Sequence, residues 1–129
     1  MAAAPNFFNV TKTPMVQIAT ANTNRDGTGT LGTLVTAGAG APVMVQDVTI
    51  TATGTTTAGV IRMFVSDGTN HRLHSEILVT PVTPSTTIAV WSFQLFNLGI
   101  QLEAGYSLRF STNNAETFNV IGTRVGAAA

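Results

Sequence analysis

Apolar and polar side chains alternate with a period of two along much of this chain. In the segment "TIAVWSFQLF", Ala89, Trp91 and Phe93 share one face, whereas Ser92 and Gln94 share the other. A period of two is typical of β-strands, because successive side chains of a strand point to opposite sides of the sheet. No window has convincing helical periodicity, so the pattern predicts an all-β protein.

Clusters of Gly, Pro, Asn and Asp separate the alternating segments. The predicted strands cover residues 15–23, 31–37, 43–53, 60–66, 71–80, 87–97, 105–112 and 117–124. Eight short strands joined by turns are typical of a β-sandwich or barrel, and the pattern leaves a jelly roll and another eight-stranded Greek-key arrangement as alternatives. The sandwich is expected to occupy residues 15–124, between an extended N-terminal arm (1–14) and a C-terminal tail (125–129).

The same alternation identifies the candidate core. In "DVTITAT", Val48 and Ile50 oppose the threonines between them, and in "GYSLRFSTN" Tyr106 alternates in phase with Leu108. Exposed aromatic rings are the stacking platforms of carbohydrate-binding modules, which would be an alternative role for Trp91. Because Trp91 also alternates in phase with apolar neighbours, we predict that it lies in the core.

Composition points to a subunit of an assembly. Only 9% of the 129 residues are charged and the net charge is zero, against about 25% charged residues in an ordinary soluble domain. The surface must therefore be covered by neutral polar groups, chiefly about 22 threonines, which also favour strands. Few charges give little repulsion between copies. They also argue against binding to nucleic acid, which needs a basic footprint.

Neither disulfides nor targeting segments are predicted. The chain has no cysteine, which excludes disulfides and thiolate metal sites. The start "MAAAPNFFNVTKTP" lacks the basic and apolar regions of a secretory signal. The longest apolar stretch, from Ile88 to Leu102, is interrupted by polar residues, so no membrane span is expected.

Most residues with chemical potential lie in "VIRMFVSDGTNHRLHSEILV". For apolar residues to oppose each other in a hairpin here, the loop must hold an odd number of residues or the strands must contain a bulge. A three-residue loop, 68–70, would place Val65 opposite Leu73 and Arg62 opposite Glu76. The face away from the core would then carry Arg62, Arg72, His74 and Glu76.

This arrangement argues against a metal site. His71 and His74 are three residues apart, so in a strand they point to opposite sides of the sheet. His74 and Glu76 share a face, but two ligands beside an arginine make a poor site. We therefore expect neither a metal nor another cofactor.

No catalytic group is predicted elsewhere either. The remaining carboxylates are widely spaced, whereas a glycosidase needs two that flank the scissile bond. A serine or threonine nucleophile would need a base, and both histidines belong to the hairpin. The glycine-rich "GTGTLG" lacks the Gly-Lys-Ser/Thr ending of a phosphate-binding loop and a helix after it. An enzyme is therefore not expected.

Three longer segments carry a resemblance to a known class of proteins. They are "ATANTNRDGTGTLGTLVTAGAGAP", "VTITATGTTTAGVIRMFVSDGTNHRL" and "LEAGYSLRFSTNNAETFNVIG", and they resemble small structural proteins of tailed-bacteriophage virions, in particular capsid decoration (cement) proteins. The likeness covers residues 17–122 and is one of sequence texture, without a catalytic signature. It implies a β-sandwich, often a jelly roll, that assembles as a homotrimer on the capsid.

What the resemblance implies can be stated as expectations. The partners would be the major capsid protein and other copies of the chain, with no nucleic acid, membrane or small-molecule substrate. The protein would be made in the host cytoplasm and lie on the capsid surface. A tail, neck or fibre component is the alternative, and a carbohydrate-binding host-attachment module is a weaker one. The candidate intersubunit contacts are Phe7, Phe8, Arg62, His74 and Glu76.

Overall fold

The computed structural model describes residues 9–127, which fold into ten strands in two antiparallel sheets. The strands are β1 (Asn9–Lys12), β2 (Met15–Ile18), β3 (Gly32–Thr36), β4 (Val43–Ala52), β5 (Gly59–Ser66), β6 (His71–Val79), β7 (Ser92–Leu95), β8 (Ile100–Leu102), β9 (Ser107–Thr112) and β10 (Phe118–Ala127). No helix in this range is long and apolar enough to cross a membrane. The all-β prediction is confirmed, and the two apolar inner faces make a sandwich.

The longer strands of the first sheet each pair with two short ones. β1 and β2 both pair with β10, β10 pairs with β4, and β7 and β8 both pair with β4. The order in the second sheet is β3-β9-β5-β6. β7 and β8 thus form one edge of the six-stranded sheet, and β6 forms one edge of the four-stranded sheet.

All eight predicted strands are present, although two are much shorter than predicted. The predicted strand 15–23 ends at Ile18, and the predicted strand 87–97 is reduced to Ser92–Leu95. β1 and β8 were not predicted, because three or four residues carry too little alternation to be recognised. β10 continues to Ala127 and buries Val125, so residues 125–127 of the predicted tail belong to this strand.

The core is built from side-chain rows that run across each sheet. In the six-stranded sheet, Ile18 pairs with Phe118, which pairs with Ala52, whose amide donates to the carbonyl of Trp91. All four are buried. The four-stranded sheet supplies Ile61, Met63, Leu108 and Phe110, which are completely buried.

The predicted roles of the aromatic residues are largely correct. Trp91 is 7% exposed and packs edge-on against Phe118, with ring centroids 5.7 Å apart, so its ring does not form a sugar platform. Tyr106 is half-buried and packs against the core. Phe93 stacks on Trp91 but remains 43% exposed, because β7 is an edge strand. The core position predicted for Ala89 is wrong, since Ala89 precedes β7 and is exposed.

Candidate functional site

The β5–β6 hairpin follows the predicted register only far from its turn. Ile61 pairs with Ile77 and Arg62 with Glu76, as predicted. A bulge after Met63 shifts the pairing by one residue, so the predicted pair of Val65 with Leu73 is wrong. The sequence required either a loop with an odd number of residues or a bulge. The chain has the bulge, together with a four-residue connection.

Arg62 lies on the face away from the core, as predicted, but its side chain is buried. It is 3% exposed. Its Nε donates to Glu76 Oε2 at 2.8 Å, and its two terminal nitrogens donate to the Asn22 carbonyl at 3.1 Å and to Asn113 Oδ1 at 3.2 Å. A guanidinium with partners on all three nitrogens can be buried at a moderate free-energy cost.

A surface segment explains why this outer face is buried. Residues 19–31, which we call the covering segment, cross the outer side of the four-stranded sheet. The segment is attached by a bridge from Ala21 to Thr112 and by the ion pair of Arg25 with Glu76, at 2.8 Å. Gly27 lies directly over His71, with φ of +88°, and a Cβ there would collide with the backbone oxygen of His71. This face is therefore occupied by the protein's own chain.

Asn22 organises the covering segment from within. This residue is 5% exposed, and its Nδ2 donates to the carbonyls of Thr28 and Thr30 at 3.0 and 2.9 Å. Its Oδ1 accepts from the Asn24 amide at 3.0 Å. A side chain that satisfies three backbone groups fixes the loop conformation. The role of Asn22 was not predicted, because a single asparagine in a polar loop gives no distinctive sequence signal.

The carboxylates of this region favour their ionised forms. The hydrogen bond from Arg25, followed by the one from Arg62, holds the pKa of Glu76 below its usual value against the opposing effect of desolvation. Backbone amides of Asn70 and Thr69 lower the pKa of Asp67, and the Thr28 hydroxyl and amide lower that of Asp26. These acids stabilise turns and an ion-pair network.

We expect the melting temperature to fall as the pH is lowered from about 5 to about 3, in a scan by circular dichroism. A carboxyl whose folded pKa lies below its unfolded pKa stabilises the fold above the unfolded pKa, and this contribution is lost as the pH falls through the folded pKa. Glu76→Gln should melt at a lower temperature near neutral pH and show a shallower acid decline. Exposed Glu103→Gln is the control, and an equal change in both variants would contradict the assignment.

The structure does not assemble the two histidines into a metal site. His71 Nδ1 lies 2.7 Å from Ser66 Oγ, and His74 Nδ1 lies 3.2 Å from Ser75 Oγ. Within the described part of the chain, no group of three His, Asp or Glu side chains could hold a metal ion.

Asp47 and Glu116 have local structural partners. Asp47 Oδ2 lies 3.3 Å from Arg124 Nε, and Glu116 Oε2 accepts from the amide and the hydroxyl of Thr57. Each acid thus holds a turn or a neighbouring strand in place, which is a structural use of its charge.

The opposite outer face, that of the six-stranded sheet, is open, and its central part is uncharged apart from the ion pair of Asp47 with Arg124. Two rows of directly paired side chains cross it: Met15, Ile121, Thr49 and Gln94 form one row, and Gln17, Asn119, Thr51 and Ser92 form the other. All eight are exposed or half-buried. We call these eight residues the open face. A depression of about 260 Å³ lies at its β2–β10 end, where Met15 is 68% exposed.

The open face continues into an uncharged strand edge. Between Glu76 and Glu103 the chain has no charged residue, and this stretch includes β7 and β8. Ile88, Phe93 and Phe96 of the same stretch are exposed by 53%, 43% and 62%. Exposed apolar side chains beside an uncharged sheet face are typical of a surface that contacts another protein.

The predicted contact residues are spread over different parts of the molecule. Phe7 and Phe8 lie outside the described residues. Arg62 is buried and donates to the carbonyl of Asn22 in the covering segment. His74 is exposed and Glu76 is partly exposed. The structure does not test whether any of them contacts another subunit.

Comparison with known proteins gives a distant likeness to phage capsid proteins. No protein-family model and no curated protein matches the chain. A pentameric capsid protein isolated from metagenomic phage sequences is 20% identical, with a TM-score of 0.44 over 96% of this chain and 73% of its own. A second such protein is 19% identical, with a TM-score of 0.43 over 95% of this chain and 63% of its own. At these values neither assembly can be carried over to this chain.

Proposed function

We propose that this chain is a structural protein of a tailed-bacteriophage virion, most specifically a decoration (cement) protein that binds and stabilises the head. The open face is the observation that carries the proposal. It presents a sheet surface of neutral side chains, whereas the covering segment occupies part of the other outer face. One side of the sandwich is thus available for contact with a larger body.

The chemistry of the open face suits burial against protein. Threonine, serine, asparagine and glutamine can be desolvated at lower cost than charged groups, provided that they find hydrogen-bond partners. Exposed Met15 adds an adaptable apolar contact. With few charges on the surface, repulsion does not oppose dense packing of copies on a shell.

The fold and the assembly are part of the same proposal. The strand orders β2-β10-β4-β7 and β3-β9-β5-β6 support a jelly roll, because each sheet takes strands from both halves of the chain. The partners would be the major capsid protein and other copies of this chain, with the protein on the capsid surface after synthesis in the host cytoplasm. The homotrimer implied by the resemblance stays a prediction.

Residues at the chain's margins are proposed to contribute contacts. β1 pairs with β10 at the edge of the six-stranded sheet, and Phe7 and Phe8 precede β1 in the sequence. We propose that they contact a neighbouring subunit. His74 and Glu76, on the free edge strand β6, are proposed as a second contact. No reaction is proposed for any of these residues.

Copy number in the particle tests this function. In purified virions of the phage that encodes the chain, gel densitometry against the major capsid protein should give hundreds of copies, and antibody labelling should decorate the head. A handful of copies, or a ring-like number located at the tail, would instead assign the chain to a tail, neck or fibre component. Absence from the particle would refute a structural virion role.

A further inference from the structure

The free edge of β7 is the least protected strand edge in the described part of the chain. There β7 pairs with β4 only. Charged residues and prolines are the usual protection of an edge strand against pairing with another chain. β6 carries Arg72, His74 and Glu76, and Pro14 interrupts the edge formed by β1 and β2, whereas β7 and its flanks have no charge.

The two sheets have four edges, and the remaining one is formed by β3. This edge is partly covered. Gly32 at its start lies against the side chains of Ile18 and Val16 from β2, which closes this corner of the sandwich. Of the four outer edges, that of β7 therefore has neither charge, nor proline, nor cover.

The backbone of β7 has a defined set of outward groups. The Ala52 amide donates to the Trp91 carbonyl at 2.8 Å. Hydrogen-bonded and non-hydrogen-bonded pairs alternate along an antiparallel ladder. Phe93 and Leu95 are therefore the residues of β7 whose backbone groups bond to β4. The amides and carbonyls of Ser92 and Gln94 consequently point away from β4. They are placed to bind a further strand.

We propose that β7 pairs antiparallel with β7 of a second copy of this chain, across a two-fold axis at Phe93. Ser92 of each copy would then lie opposite Gln94 of the other and exchange backbone hydrogen bonds with it. The two Phe93 rings would meet on the inner side and bury the exposed part of each. The two six-stranded sheets would become continuous.

A second copy fits this edge for reasons of polarity and charge. The added strand must be free of charge, because a charged group buried at an uncharged edge would lack a counter-ion. It must also present apolar residues inward and small polar residues outward, which β7 itself does. A two-fold contact brings together identical patches and closes without leaving a further free edge.

Disulfide cross-linking tests the pairing directly, since the chain has no cysteine of its own. Directly opposite residues of a non-hydrogen-bonded pair have Cα atoms about 4.5 Å apart, which is within the range of a disulfide. Phe93→Cys should form a covalent dimer under mild oxidation of the dilute protein. Ala39→Cys and Ala115→Cys, which lie in exposed loops outside the proposed contacts, are the controls and should give no covalent dimer in a non-reducing gel. Equal cross-linking of all three would overturn the proposal.

Sedimentation of the purified chain gives an independent measurement. Gln94→Pro removes the backbone N–H of residue 94, which points away from β4, and leaves the hydrogen bonds to β4 in place. This variant should raise the dissociation constant for self-association about tenfold or more. Gln94→Ala keeps the backbone N–H and should change the dissociation constant little. A wild-type chain that stays monomeric, or a proline variant that associates as well as the alanine variant, would overturn the proposal.

The inference deepens the proposed function by adding a two-fold contact, which is separate from the three-fold contact of the predicted homotrimer. Its test does not depend on that function. Both experiments use the purified chain without particles. If copies pair through β7 but the chain is absent from virions, the proposed function fails and the pairing stands. If the chain is abundant on heads but neither cross-links nor responds to Gln94→Pro, the function stands and another surface joins the copies.

Discussion

Replacing Arg62 by alanine is expected to lower the free energy of unfolding by about 3 kcal/mol. The side chain is buried and donates to Glu76, to the Asn22 carbonyl and to Asn113. Its loss leaves these acceptors without their donor and also removes the packing of the aliphatic stem. Arg25 still neutralises Glu76, which keeps the cost near the lower end for a broken buried ion pair. Urea unfolding of wild type and variant measures the difference.

Arg72→Ala is the matched control, because Arg72 belongs to the same hairpin and is exposed. It should change the free energy of unfolding by less than about 0.5 kcal/mol. Arg62→Lys should fall between wild type and alanine, since an ammonium cannot reach the three acceptors with the fork of a guanidinium. Equal losses for Arg62→Ala and Arg72→Ala would contradict the buried network.

The Arg62 network changes how the hairpin charges are understood. The sequence predicted that Arg62 opposes Glu76, and this pairing is confirmed. A period of two, however, tells only which side of a sheet a residue takes, and not whether another segment covers that side. The polar hairpin face is an internal connection between β5, β6 and the covering segment. The open face on the other sheet therefore becomes the better candidate for contacts.

The alternation predicted the strands well because it reflects the core directly. Val48 and Ile50 are completely buried as predicted, since a central strand has neighbours on both sides. The same reasoning gave Phe93 the correct face but not its exposure. Exposure depends on whether a strand lies at the centre or at the edge of its sheet, and strand order results from long-range pairing that a single sequence does not display.

The bulge in β5–β6 shows a second limit of the sequence. For apolar residues of the two strands to oppose each other, the hairpin needed either a loop with an odd number of residues or a bulge. Both solutions satisfy the same hydrophobic pattern. Asp67 selects the observed turn, because its Oδ1 accepts from the amides of Thr69 and Asn70 at 2.9 and 2.7 Å. Such a choice between two local geometries depends on details that alternation does not encode.

One residue did carry a signal for the covering segment. Phe64 lies between Arg62 and Ser66 on the otherwise polar face of β5, so it interrupts the alternation of "VIRMFVS". A large apolar residue on an outer face needs cover or becomes an exposed patch. Phe64 is completely buried, and the covering segment contacts the sheet on either side of it, at Arg62 and at His71.

Phe64→Ala is therefore expected to lower the free energy of unfolding by about 3 kcal/mol, near the lower end for a buried phenylalanine because a surface segment can partly collapse into the space. Phe96→Ala is the control of the same type, since Phe96 is 62% exposed, and should cost less than about 0.5 kcal/mol. Urea unfolding measures both variants. Hydrogen exchange of residues 19–31 should accelerate in Phe64→Ala alone, because we expect the covering segment to pack on this ring. If exchange in this segment stays at the wild-type rate while stability falls, Phe64 is buried by its sheet neighbours and the segment is held by the Arg62 and Asn22 hydrogen bonds alone.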